Sequence, residues 1–189
     1  IVPGLDCSSV RSDEYKSAFF LMEHLIYDGR KRILYMTNPD YISTTAERMR
    51  AYHDTLNKHH ISFENSLVVV TGPNEEDGAA TMENILATYP PPELPDALFC
   101  VTDLQAVGAK KVLEKHGISV PETISIACMS GTRMAALVSP AITAVERPMK
   151  KMAEEAVRLL LTKIEDNSAP SERIVLPAEM FIRNSTKKK

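Results

Sequence analysis

Short apolar runs alternate along this chain with longer stretches whose apolar residues recur every three or four positions. The runs read as strands covered on both faces, and the spaced stretches as amphipathic helices. The clearest case begins at residues 97–101, Ala-Leu-Phe-Cys-Val, a continuous apolar run. Thr102 and Asp103 follow where that strand should end, with Asp103 placed to cap the next helix. Gly117 stops the helix, Pro121 follows the stop, and Ile124-Ser-Ile-Ala restarts a strand. The same reading predicts strands over 1–6, 32–36, 67–71 and 142–145, with closing strands over 173–176 and 180–182. It predicts helices over 14–28, 44–60 and 76–89, the second opened by a capping box of Thr44 and Glu47. Residues 129–141 read as a loop with one helical turn, and 148–166 as the longest helix. Alternating helices and strands imply an α/β protein, a three-layer α/β/α sandwich around a parallel sheet.

Composition narrows the possibilities. At 189 residues, 44% hydrophobic, the chain is one ordinary domain or one domain plus part of another. A net charge of −3 argues against this chain itself gripping DNA, and the three terminal lysines are too few to change that. Of the three cysteines, Cys100 and Cys128 lie inside apolar runs and read as buried free thiols in a reducing cytosol. No spacing suggests a metal site or another cofactor. No stretch approaches a membrane span, and no leader peptide is evident. The chain lacks an initiator Met and reads as a piece of a longer protein. No enzyme reading survives: the five histidines fall on helix surfaces or ends, and there is neither a nucleophile elbow nor a glycine-rich phosphate loop.

Asp103 is chemically the most informative residue. Open α/β sheets place ligand contacts at the carboxyl ends of parallel strands, where this carboxylate falls. The competing role is a plain helix cap. The segment around it also resembles the "PDAIFCxND" and "VPeDIS" signatures of the lactose-repressor (LacI/GalR) family of bacterial transcription regulators. Other matches follow in order. Glu23-His-Leu-Ile with Gly29-Arg-Lys-Arg-Ile is similar to "eHLi..GHr.I", Glu47-Arg48 and Tyr52 to "eR..Gy", Ser139-Pro-Ala-Ile-Thr to "P.LTtv", and Phe181-Ile-Arg-Asn-Ser-Thr to the closing "R.St". The ordered set covers most of residues 13–186.

The resemblance implies a periplasmic-binding-protein-like (type I) sensor core of two subdomains joined by three crossing strands. The crossings would fall near 9–11, 145–147 and 167–171. Residues 12–145 plus 170–186 would form the carboxyl-side subdomain. Residues 1–8 and 147–167 would be remnants of the amino-side one, and the helix-turn-helix would be absent. The apolar stripe of the long helix (Met149, Met152, Ala153, Ala156, Val157, Leu160, Ile164) would then lack its partner. The implied function is sensing of a small, sugar-like effector by a cytoplasmic regulator that binds operator DNA through a domain missing here. A homodimer is implied too, partly through helix 104–116, whose Ala106, Val107, Ala109, Lys110 and Leu113 include small residues.

For effector contacts, the resemblance points first to Arg48, whose planar guanidinium suits hydroxyls or carboxylates. Its bland alternative is a surface arginine paired with Asp40 or Glu47. On either the fold's logic or the resemblance, Thr102, Asp103 and Ser130 should join Arg48 in one concave surface at the strand ends. Tyr41 could stack on a sugar or simply cover the sheet edge, and Asp13 reads as a helix cap. Arg48→Ala should remove a contact rather than core, leaving stability nearly intact. Several family features are altered: Thr102 stands for an Asn, Ser130 for a sugar-binding Asp, Ala51 for a Gly. An extracytoplasmic sugar-binding protein serving a transporter is the second reading. A sensor whose pocket has decayed and which acts through protein contacts is the third.

Overall fold

The computed structural model describes residues 6–186. The strand expected over 1–6 lies, apart from Asp6, outside the described residues, as do the terminal lysines. Six strands form the main sheet: β2 (Ile33–Thr37), β3 (Val68–Val70), β4 (Ala97–Cys100), β5 (Ser125–Cys128), β6 (Thr143–Glu146) and β8 (Glu179–Phe181). Their order is β3-β2-β4-β5-β6-β8. The first five run parallel, and β8 closes the edge antiparallel to β6. The remaining strands, β1 (Ser9–Ser12) and β7 (Arg173–Leu176), pair with each other in a parallel two-stranded ribbon.

The three layers follow from the pleat, because successive strand residues face opposite sides. Ile33, Tyr35, Ala97 and Phe99 pack with α1 (Glu14–Tyr27) and α2 (Ser43–Lys58). Leu34, Met36, Leu98, Cys100, Ile126 and Cys128 pack on the other face, against α3 (Glu75–Thr88), α4 (Asp103–Lys115) and the short α5 (Arg133–Leu137). Tyr35 stacks between Phe99 and Tyr52, at 4.7 and 5.3 Å between ring centres. The Tyr52 hydroxyl donates to the Ile33 carbonyl at 2.8 Å, so this large side chain is buried without an orphaned polar group. Helices α3 and α4 cross almost backbone to backbone: a methyl added at Gly108 would sit 1.9 Å from the Glu75 carbonyl oxygen. Both buried thiols stay protonated, since burial pushes Cys100 up to about 12 and raises Cys128 well above the ordinary thiol range.

The closing segment bridges β5 and β6. These strands pair directly only at Ala127–Thr143 and Cys128–Ala144. Beyond that point Ser185 takes over: it accepts from the Ile126 N–H, donates through Oγ to the Ile126 carbonyl, and receives the Thr143 N–H. Thr186 Oγ1 lies 2.8 Å from both Thr143 Oγ1 and His24 Nε2. His24 is thus half-buried rather than a surface residue.

Three sequence expectations change here. The capping box at Thr44 does not form: α2 starts after Ile42 with no side-chain cap, and Glu47 instead pairs with Arg11. The cap of α4 is Thr102, not Asp103. Thr102 accepts from the Gln105 N–H, and Gln105 returns the bond to the Thr102 N–H. Finally, Ala106, Val107, Ala109, Lys110 and Leu113 are all buried within this chain, because α4 turns that face to β4, β5 and α3. They are not available to pair with a second copy.

Helix α6 (Met149–Glu165) stands apart. It leans on the β1–β7 ribbon through Leu159, its single buried residue, while Met149, Val157, Leu160, Leu161 and Ile164 are exposed.

Candidate functional site

All five parallel strands deliver loops to one end of the sheet, and the candidate ligand residues sit in those loops or just beyond them. Arg48 is on the second turn of α2, but it is 3% exposed rather than on the surface. Its Nε and one terminal nitrogen both donate to Oε2 of Glu14, at 2.8 and 2.5 Å. Glu14, the first residue of α1, is 6% exposed. The partner is therefore neither Asp40 nor Glu47. Sequence spacing could not find it, since the pair joins residues 34 positions apart. Glu14 Oε1 accepts from Ser12 Oγ at 2.6 Å and lies 4.0 Å from Arg147. Asp13 caps α1, accepting from the Lys16 N–H, as expected.

Arg147 follows β6. Besides Glu14 it reaches Ser130 Oγ, at 3.4 Å. A polar relay thus runs Arg48–Glu14–Arg147–Ser130 across the strand ends. It borders a cavity of about 380 Å³ whose walls include Arg11, Ser12, Glu14, Glu47, Arg147 and Met152. Arg48 stands behind this cavity rather than lining it, holding Glu14 toward the space.

Thr102 and Asp103 belong to a neighbouring cluster. Thr102 Oγ1 donates to the Pro73 carbonyl at 2.8 Å, tying β4 to the loop after β3. Asp103, 4% exposed, accepts from both the N–H and the hydroxyl of Thr132. Both of these residues serve loop architecture at the strand ends. None of Thr102, Asp103, Ser130 and Tyr41 lines the 380 Å³ cavity. Tyr41 is 87% exposed in the loop after β2. So the structure links Arg48 to Ser130 through two side chains the sequence did not single out, and gives the Asp103 carboxylate to Thr132. A cation beside a carboxylate at another strand end was the only available signal for Arg147, and it is weak.

Among the described residues no group of three or more His, Cys, Asp or Glu is placed to hold a metal ion. Among them, too, no helix is long and apolar enough to cross a membrane.

The periplasmic binding protein-like domain matches this chain over residues 22–186. The chain belongs to that family. This periplasmic binding protein-like chain is 32% identical over 185 residues to the transcriptional regulator GalR of Salmonella typhimurium (strain LT2), covering 98% of this chain and 53% of GalR. Against the repressor CytR of Escherichia coli (strain K12) the identity is 26%, again over 98% and 53% of the two chains. The chain spans about half the length of the curated relatives it matches. Among solved structures, the cellobiose complex of the transcriptional regulator CelR superposes with a TM-score of 0.88 at 27% identity, over 97% of this chain and 55% of that one. A LacI family regulator from Mycobacterium smegmatis gives 0.87 at 27% identity, over 98% and 68%. The resemblance to the lactose-repressor family's sensor core is thereby borne out.

Proposed function

We propose that this chain is the effector-sensing part of a LacI-type transcription regulator that binds a small polyhydroxylated molecule and so alters DNA binding by the full-length protein. The observation that carries the proposal is the buried Arg48–Glu14 pair, extended by Ser12 and Arg147 around a cavity at the strand carboxyl ends. Buried charges are costly to retain, and hydrogen-bonding groups at this end of an α/β sheet are where ligands dock. Glu14 and Ser12 offer acceptor oxygens to hydroxyls, the Ser12 proton being given to Glu14, while Arg48 locks Glu14 in place. Arg48 on this reading is a positioning residue.

The opposite wall of the cleft comes from a second subdomain to which residues 1–8 and 147–167 belong, whereas 12–145 and 170–186 form the carboxyl-side subdomain. The uncovered stripe on α6 and the separation of the β1–β7 ribbon from the main sheet support this division. An effector held between the subdomains would favour one lobe arrangement, and that difference in affinity is what reaches DNA-binding heads outside this chain. The whole protein acts as a homodimer in the cytoplasm. The relatives named above are regulators, so neither an enzyme nor a transporter's binding protein is carried forward.

The test is fluorescence anisotropy of the full-length regulator on its operator, titrated with a panel of sugars, sugar derivatives and nucleosides. A compound that binds must shift operator affinity, and Glu14→Gln must weaken both effects together. Tight effector binding that leaves operator affinity unmoved would refute the reading.

A further inference from the structure

The charges around the strand-end cavity do not cancel. Three guanidinium groups, Arg11, Arg48 and Arg147, face two carboxylates, Glu14 and Glu47. Arg11 is spent on Glu47, with one nitrogen 2.9 and 3.2 Å from the two carboxylate oxygens. Arg48 is spent on Glu14 and lies behind the wall. Arg147 has no comparable partner. Its contacts are a 3.4 Å bond to a neutral hydroxyl and a 4.0 Å approach to a carboxylate oxygen that already accepts from Ser12. A guanidinium carries five N–H donors in a rigid fork, so most of this fork's capacity is unused. It lines the cavity and is about one-third exposed.

Resting on the effector-site reading above, we propose that Arg147 is a receptor for an oxyanion on the effector, so that the favoured ligand is an anionic polyol bearing a phosphate or carboxylate. The two-pronged geometry of a phosphate or carboxylate matches a guanidinium fork, and a charge-assisted bond is stronger than one to a neutral hydroxyl. The polyol part would then reach Ser12 and the edge of Glu14, both on the same cavity wall. Ser130, two residues beyond β5, touches Arg147 and holds the guanidinium without neutralising it. Replacement of a carboxylate by Ser at that position, noted in the sequence as a loss of sugar contact, becomes a reason why the cation is free.

The test is an NMR titration of the ¹⁵N-labelled full-length regulator with four probes: glucose, glucose 6-phosphate, gluconate and inorganic phosphate. The readouts are the Arg147 Nε–Hε signal and the amides of Ser12, Glu14 and Ser130. The expected result is saturable shifts at these groups, with at least one of the two anionic polyols bound at least tenfold tighter than glucose. Which of them leads distinguishes phosphate from carboxylate. Arg147→Gln keeps hydrogen-bonding capacity but removes the charge; it should erase the tenfold margin by weakening the anionic polyols far more than glucose. An unchanged, well-dispersed amide spectrum will show that the variant is folded. If glucose binds as tightly as its anionic analogues, the inference about Arg147 fails and the effector site stands. Saturation of Arg147 by inorganic phosphate with no added gain from a polyol would likewise overturn it. If no probe moves any cavity residue, both the inference and the effector-site reading fall.

Discussion

Helices α4 and α6 are alike on paper and opposite in fact. Both are amphipathic, of 13 and 17 residues. Helix α4 buries nine of its residues between the sheet and α3, whereas α6 buries only Leu159. The difference lies in where their partners are. The partners of α4 lie within the chain: β4 and β5 beneath it, and Gly78 and Gly108 allowing α3 to close over it. The apolar face of α6 meets only the narrow β1–β7 ribbon. An amphipathic stripe records that a helix is meant to be covered, and is silent on whether the cover belongs to the same segment of chain.

The largest effect is expected away from both helices, at the buried ion pair between α1 and α2. Arg48→Ala leaves the Glu14 carboxylate buried without its main partner. It should cost about 3–5 kcal/mol in urea unfolding, in contrast to the near-neutral effect that the sequence suggested. A loss under about 1 kcal/mol would show that the pair is far less buried than described.

Matched truncations on the two helices come next. Leu113→Ala on α4 removes a fully buried side chain and should cost about 2–5 kcal/mol. Leu160→Ala on α6, where the side chain is 60% exposed, should change stability by no more than about 0.5 kcal/mol in this chain. Equal effects would mean that α6 is covered in solution, by a second copy or by the ribbon. Ser185→Ala tests the closing segment, where one hydroxyl serves both Ile126 and Thr143. It should cost about 1–3 kcal/mol, the penalty for stranding buried backbone groups.

The smallest effect concerns pH. Burial lowers the His24 pKa, and the nearby Asp28 charge only partly offsets it. The folded state therefore prefers neutral His24, and its contribution is complete above the ordinary histidine pKa, about 6.5. It is lost as pH falls through the lower folded value, because the unfolded chain takes the proton first. The urea midpoint should fall between pH 7 and pH 5, and His24→Gln should flatten part of that fall.

The same contrast explains what the sequence could say. The sheet and its layers were legible because strand runs such as 33–37 and 97–100 are buried on both faces and stand out as apolar blocks. The family was legible because its signatures lie along the chain in order. The site was less so. Arg48 could be singled out, but its partner Glu14 lies on another helix and only folding brings them together. Asp103 was placed at the right end of the sheet yet is occupied by Thr132, a residue 29 positions away that no local pattern flags. Its capping role fell to Thr102, one residue earlier, because Gln105 completes a box that Asp103 has no residue to complete.

Hydrogen–deuterium exchange of the full-length regulator, with and without its effector, tests the central claim most directly. The account predicts that effector slows exchange at the strand carboxyl ends, in the segments carrying Ser12, Glu14, Ser43, Arg48 and Arg147, and over α6 as the lobes close. Protection confined to the opposite end of the sheet, around residues 119–125 and the closing segment at Ser185, would contradict it.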